Sequence, residues 1–394
     1  MLEQEYIEKV RISFSKMKTK QDLLDLLNFV KPKIYGANSV DFKLSQLTWH
    51  ANAKLGGVRY FSFSVKKKSG ADRVIHAPVK GLKALQKTLS LILQCVYIPN
   101  KSATGFVNGR SIVDNAKIHV FSNYVYNIDL KDFFPSVDQA RVWKTIQLKP
   151  FSLYDRKEIA SIIASIVCTE MEVERVDENG CWQKVKRNVL PQGAPTSPVI
   201  TNIVCQKLDY LLLAVANRFG LKYTRYADDI TFSSMHNVYQ PGSDFLNELH
   251  RIISEQNFHI KESKTRLQKS GYRQEVTGLL VNDEVNVKKR YVKQLRMWLY
   301  LWERYGYERA SNYFVQHYFL DKGHVNDGKP EMRNVISGKL DYLSMVKGKG
   351  NTQYCLLRER FEKLTRSSEI DKILGIWENI GLETAIIYFN SKRK

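Results

Sequence analysis

Residues 222–234 read KYTRYADDITFSS, centred on Tyr226-Ala227-Asp228-Asp229. β-Prone residues flank a tight pair of aspartates, so the stretch predicts two short strands around a turn that carries both carboxylates. Adjacent aspartates repel each other, and one of them tends to keep its proton. A bound divalent cation reverses that preference, because its charge dominates the neighbourhood. Taken alone, these four residues fit an exposed Asp-Asp turn equally well.

A third carboxylate decides between the two. Residues 123–130 read NYVYNIDL, an apolar strand ending at Asp129, and KDFFPS follows. A charge at the end of a buried strand is costly unless it is paired or bound to metal. Three carboxylates on neighbouring strand ends are what two-metal phosphoryl transfer requires: one ion activates the attacking hydroxyl, the other stabilises the leaving oxygen. Mg²⁺ suits such hard oxygen ligands and keeps positions open for substrate phosphates. Asp132 and Asp138 lie close by, and Asp138 reads as a helix cap.

Outward from these strands the pattern is α+β. Residues 1–30 are helical, with Leu23, Leu24, Leu26, Leu27 and Val30 as an apolar stripe. Arg59–Val65 and Arg73–His76 alternate as a hairpin around the basic turn Lys66–Gly70. Pro78 opens a helix to about Val96, and another helix spans Asp155–Cys168. Two strands flank Asp177–Gly180. A single long helix is expected over Ser197–Arg218, ending at Gly220, and a further one over Ser243–Gln256. Strands follow near 274–287 with a turn at Asn282-Asp283; beyond Lys288 the chain is helical and basic. The divisions expected are an N-terminal helical extension (1–54), a core of interleaved lobes (55–287), and a helical lobe with a C-terminal extension (288–394).

Composition limits the partners. The 394 residues carry 61 Lys+Arg against 40 Asp+Glu, a formal charge of +21 that favours polyanions. Hydrophobic content of 43% supports a real core and argues against disorder. Five scattered cysteines form no C-x-x-C pair, which argues against a disulfide framework or a zinc ribbon and suits a reducing cytoplasm. No apolar signal block or membrane-spanning run is visible, so a soluble cytoplasmic protein without membrane contact is expected. Lys288, Lys289, Arg290, Lys293 and Arg296 crowd one helix start, ahead of Trp298 and Trp302. The charges suit a nucleic-acid phosphate backbone; the two tryptophans, four apart, suit a core stripe.

Three strings in order, NIDLKDFFPS, LPQGAPTSP (Leu190–Pro198) and YADD, resemble the palm motifs of reverse transcriptases. The similarity covers roughly residues 55–345. It implies a right-hand polymerase of fingers, palm and thumb, with an antiparallel palm sheet and a helical thumb ending within Gly338–Phe361. It implies that Asp129, Asp228 and Asp229 hold two Mg²⁺ ions. Phe134 falls at the family's steric gate against a ribose 2′-hydroxyl, with Asp132 and Phe133 beside it; one of the two phenylalanines is core. Gln192 and Gly193 resemble residues lining the incoming dNTP, Lys66 and Arg73 the fingers contacts to its triphosphate, and Lys264 a lysine near the pyrophosphate.

Asn115-Ala116-Lys117-Ile118-His119 and Val276-Thr277-Gly278, with TGFVNGRSI (Thr104–Ile112), resemble signatures of the retron type. Similar proteins often place a proline before the basic fingers turn, where this chain has Ser64-Val65. For Asn115 and His119 a structural or RNA-contacting role is expected. The resemblance implies a structured noncoding RNA as template and primer, an RNA–DNA hybrid product, a possible effector protein and a place in anti-phage defence. Too few residues follow the thumb for a ribonuclease H module, so template removal is expected of a separate host enzyme. Other bacterial defence reverse transcriptases, with untemplated or repetitive synthesis, are the enzymatic alternative; a non-catalytic RNA-binding scaffold is the alternative of another class. The tail 364–394 reads as an added helix for RNA or a partner, or as one packing on the thumb.

Overall fold

In the computed structural model, residues 3–52, 55, 57–66, 72–177, 179–322 and 330–391 are described. The basic turn at 67–70 and the last three residues lie outside them. The chain divides into two units, Met1–Thr277 and Gly278–Lys394.

The first unit begins with helices α1 (Gln4–Lys16) and α2 (Lys20–Val30). A capping box between Thr19 and Asp22 starts α2, which buries all five residues of the expected stripe. Next come α3 (Pro32–Tyr35) and α4 (Leu44–Ala51). Strands β1 (Tyr60–Lys66) and β2 (Asp72–Pro78) pair antiparallel, so Pro78 closes a strand instead of opening the next helix. That helix, α5 (Lys80–Val96), buries Leu82, Leu85, Leu89, Ile92 and Leu93. Short α6 (Ile112–Lys117) precedes β3 (Tyr124–Asp129), α7 (Gln139–Ile146), α8 (Lys157–Val167) and the hairpin β4 (Thr169–Val176) and β5 (Trp182–Val189). Asp138 occupies the N-cap position of α7, but its side chain pairs with Arg175 at 2.8 Å instead of capping.

The single helix expected over 197–218 is two, α9 (Ser197–Val204) and α10 (Gln206–Arg218), meeting at 49°. Thr201 Oγ1 donates back to the carbonyls of Ser197 and Pro198, at 3.0 and 2.9 Å, a bond pattern that bends helices. Cys205 marks the break with a ψ of −1°. Apolar residues run through the bend on both sides, so periodicity does not reveal it.

Then follow β6 (Lys222–Tyr226), β7 (Asp229–Ser234), α11 (Asp244–Glu255) and β8 (Arg266–Lys269). The basic, four-residue β8 carries too little pattern to be read from sequence. Strands β6-β7-β3-β8 form one antiparallel sheet in that order. Strand alternation sends Tyr126, Ile128, Ile230 and Phe232 into a core shared with α5 and α8–α11. The opposite face is polar and carries Asn127, Asp129, Asp229 and Thr231. His119 closes that face, its Nε2 bonded to Thr224 Oγ1 at 2.7 Å and its Nδ1 to Ser233 Oγ at 2.8 Å.

The second unit is helical: α12 (Lys289–Lys322), broken at Gly306 where φ is 76°, then α13 (Met332–Lys347), α14 (Thr352–Ile380) and α15 (Leu382–Ser391). Leu280 and Asn286 exchange backbone hydrogen bonds around the Asn282-Asp283 turn. Trp298 packs edge-on against Phe314 and Trp302 against Phe361, so both are core as expected. The tail has no separate start: 364–380 continues α14, and α15 packs back on it. Among the described residues no single helix is long and apolar enough to cross a membrane.

Burial pushes the His119 imidazole down to about 3, so the folded protein excludes a proton that the unfolded chain takes up near its ordinary value. Stability is therefore lost as pH falls below about 6.5, by roughly 1.4 kcal/mol per pH unit from this group. Denaturant titrations between pH 7 and 5 should show that slope, and His119→Gln should remove it.

Candidate active site

Asp129 is the last residue of β3 and stands in register with Asp229, the first of β7. Between β6 and β7 only Ala227 and Asp228 form the loop. Ala227 takes a φ of 58°, a left-handed conformation that costs a non-glycine residue and is typical of strained functional turns. Leu130 N donates to Asp228 O at 3.0 Å, tying the turn to the residue after Asp129. One end of the sheet thus gathers all three expected carboxylates.

Their electrostatics follow from the crowding. Burial, and then the Asp129 charge, push Asp228 upward, opposed by Lys264 and Arg73. Asp229 keeps solvent contact on one side, yet burial, Asp228 and Asp129 push it up to about 6. Lys264 Nζ lies 2.5 Å from Asp129 Oδ2 and is the cation nearest the group. Among the described residues no three acidic, His or Cys side chains form a closed ligand cluster as they stand. The donor set nevertheless fits a divalent ion: hard, mutually repelling oxygens of the kind Mg²⁺ takes.

A network that sequence reading missed holds this turn. Arg225, within KYTRYADD, donates from Nε and Nη2 to the two oxygens of Asp209 in α10, both at 2.7 Å, and both side chains are wholly buried. Arg225 Nη1 also donates to Ala227 O at 3.1 Å and to Asn202 Oδ1 at 3.2 Å, while Tyr223 donates to Asp209 at 2.8 Å. The guanidinium therefore fixes the carbonyl of the strained loop residue. An arginine beside an apolar strand was the available signal, since such a residue must find a buried partner.

The other expected residues divide. Arg73, Asp132 and Gln192 line one cavity of about 1040 Å³ between the β1–β2 and β4–β5 hairpins. Lys66 is exposed at the end of β1, opposite Asp72, and is not among the lining residues. Phe134 is half-buried. Phe133 is a correction: it is 4% exposed and stacked on Phe258 in the core, out of reach of a nucleotide. Gly193 is explained by another neighbour. With φ 122°, a Cβ there would meet His76 O at 2.7 Å, so the glycine admits β2, whose His76 N bonds Gln192 O at 2.8 Å.

Asn115 and His119 are structural. Both are buried; Asn115 Oδ1 accepts from Thr104 Oγ1 at 2.8 Å and its Nδ2 approaches Thr277 Oγ1 at 3.5 Å, so the two retron-like strings meet. RNA contact by either is excluded by that burial. In α12, Lys289, Lys293 and Arg296 are exposed at helical spacing, with Arg290 exposed and Lys288 half-buried beside them.

Comparison with known proteins agrees with this geometry. Residues 65–294 match the family model described as reverse transcriptase (RNA-dependent DNA polymerase). The Mx162 retron reverse transcriptase of Myxococcus xanthus is 36% identical over 281 residues, covering 66% of this chain and 56% of that one. The Mx65 enzyme of the same organism is 38% identical, covering 61% and 55%, and the Ec86 enzyme of Escherichia coli 34%, covering 60% and 68%. The chain spans little more than half the length of the two Myxococcus relatives. It belongs to the reverse transcriptases, and within them to the retron type. Its fold is accordingly the right-hand polymerase, with β6-β7-β3-β8 as the palm sheet, and the family works with divalent metal ions.

Arg225→Met should cost roughly 3–5 kcal/mol, because it strands the buried Asp209 charge. Arg225→Met with Asp209→Leu should recover much of that loss in thermal melts; failure to recover would show that the pair matters as hydrogen bonds to Ala227 and Tyr223, not as matched charges. For Asp229 the sign is opposite to that of a salt-bridged acid. Its raised value means the ionised form is disfavoured in the fold, so the penalty is full above pH 6 and fades as pH falls toward 3.8. In metal-free buffer Asp229→Asn should raise the melting temperature at pH 7.5, with a gain that shrinks toward pH 4.

Proposed function

We propose that the protein is an RNA-directed DNA polymerase that reverse transcribes a cognate structured noncoding RNA by two-metal nucleotidyl transfer. The observation that carries the reading is the meeting of Asp129, Asp228 and Asp229 at one sheet end. Asp129 and Asp228 are the principal ligands for two Mg²⁺ ions and Asp229 completes the set. When bound, such ions lower the pKa of the attacking hydroxyl and neutralise the leaving pyrophosphate.

The chain's own residues do the rest. Arg73 holds triphosphate oxygens with its planar fork, aided by Lys66 from the end of β1. Gln192 and Asp132 border the incoming nucleotide in the cavity they share with Arg73. Phe134 packs under the deoxyribose and leaves no space for a 2′-hydroxyl. Lys264, half-exposed and resting on Asp129, can turn its ammonium to the leaving pyrophosphate once the carboxylate is otherwise neutralised. Lys288, Lys289, Arg290, Lys293 and Arg296 track template phosphates, so RNA binding should weaken steeply with salt.

Retron membership supports a finer picture: priming from a 2′-hydroxyl of the RNA itself, an RNA–DNA hybrid product, an effector partner in anti-phage defence, and RNA removal by a separate host ribonuclease H in the cytoplasm. Asp228→Asn with Asp229→Asn should reduce nucleotide incorporation to background while RNA affinity, measured by filter binding, stays within about twofold, since phosphate contacts dominate affinity. Undiminished synthesis by the double variant would end the catalytic assignment. Sequencing nucleic acid co-purified with the protein should reveal a 2′-branched RNA–DNA molecule; a linear product alone would favour another bacterial defence enzyme.

A further inference from the structure

Phe106 is placed where an aromatic side chain gains little from the fold itself. Its φ is 60°, in the left-handed region that large residues rarely adopt, and the residue is 42% exposed. Such a conformation persists only where the surroundings dictate it. Here they do. Thr104 N donates to Arg225 O at 2.8 Å, and Asn202 Nδ2 donates to Gly105 O at 2.9 Å. A Cβ at Gly105 would lie 2.4 Å from Ala227 N, so this loop runs directly against the Asp-Asp turn, and only glycine permits it. Asn202 in turn accepts from Arg225. The same buried arginine thus anchors both the carboxylate loop and the backbone that presents Phe106.

Among the described residues its aromatic neighbour is Phe134, at 6.0 Å between centroids and tilted by 38°. Phe134 also meets Phe133 at 5.5 Å, and Phe133 is held by Phe258 at 5.7 Å. Phe134 therefore touches two rings, the core-anchored Phe133 and Phe106. Among the described residues, without Phe106 the one ring left against Phe134 is its chain neighbour Phe133.

We infer that Phe106 is a positioning residue for sugar selection: its ring buttresses Phe134 and keeps that ring closed against a ribonucleotide 2′-hydroxyl. The inference rests on the reading of Phe134 as the gate. A gate excludes an added oxygen only as well as its own side chain is immobilised, and a half-buried phenylalanine has a rotamer to escape into unless something blocks it. The strained backbone at Phe106 is thereby given a use.

The test is the ratio of kcat/KM for dNTP over the matching NTP, on an RNA template with Mg²⁺, for the full chain and for Phe106→Ala, Phe106→Leu, Phe134→Ala and the double alanine variant. Phe106→Ala should lower the ratio by roughly two- to tenfold, the size of one aromatic pairing, chiefly by improving use of NTP. Phe106→Leu should retain most of the discrimination. The double variant should discriminate no worse than Phe134→Ala alone, because both act through one ring. Phe106 is exposed enough that melting temperatures should stay close to that of the parent protein. If Phe134→Ala loses discrimination and Phe106→Ala does not, the buttress is refuted and the gate stands. If neither changes it, gate and buttress fall together. Equal loss of efficiency for dNTP and NTP in Phe106→Ala also overturns the inference, and would assign the ring to template or primer.

Discussion

Three carboxylates at the ends of two adjoining strands repel one another, and the palm is organised around holding them together regardless. Strand register does the first part. Asp129 faces Asp229 across β3 and β7, and the same alternation that buries Ile128 and Ile230 turns both acids to the polar face. The cost is visible in the upward displacement of Asp228 and Asp229. Lys264, Arg73 and Arg266 relieve part of it, and bound divalent ions would neutralise the set further.

The opposing constraint is mechanical and comes from within the core. A left-handed Ala227 beside mutually repelling acids would relax if its carbonyl were free. Arg225 prevents that, and its own charge is tolerated only because Asp209 meets it with two short bonds and Asn202 and Tyr223 complete the polar set. Buried ion pairs contribute little net stability, but they permit few alternative geometries. A chain that places one directly behind its most strained functional turn gains definition where a small displacement would be most damaging to catalysis.

Much of this was legible in the sequence. The YADD turn, the acid-terminated strand and the β1–β2 hairpin each combine a local pattern with a chemical oddity, and all three are found where expected. What escaped reading shares a different character. Arg225 looked like one basic residue among 61, and its importance lies in a partner sixteen positions away in another element. The bend at Cys205 interrupts no apolar pattern. Strand β8 is short and basic, and exists because β3 offers an edge. Phe133 and Phe134 were inseparable as adjacent letters; only the placement of Phe258 decides which one enters the core. Gly193 is expected from the resemblance to line the nucleotide, and the group its missing side chain admits is the β2 backbone.

In the string that suggests the retron type most specifically, Asn115 and His119 are buried and offer RNA no contact. Asn115 takes the hydroxyl proton of Thr104, the residue whose backbone nitrogen is bonded to Arg225 O, and it reaches Thr277 at the end of the unit. His119 joins Thr224 of β6 to Ser233 of β7, the two strands that meet at the Asp-Asp turn. Both residues act as cross-braces for the hairpin that presents the carboxylates. A braced hairpin accounts for why these residue types sit at these positions without invoking recognition. It also shifts the question of RNA choice to surfaces with exposed charge, such as the α12 face with its basic residues at helical spacing. The burial of Asn115 and His119 thus ties them to the geometry of the turn.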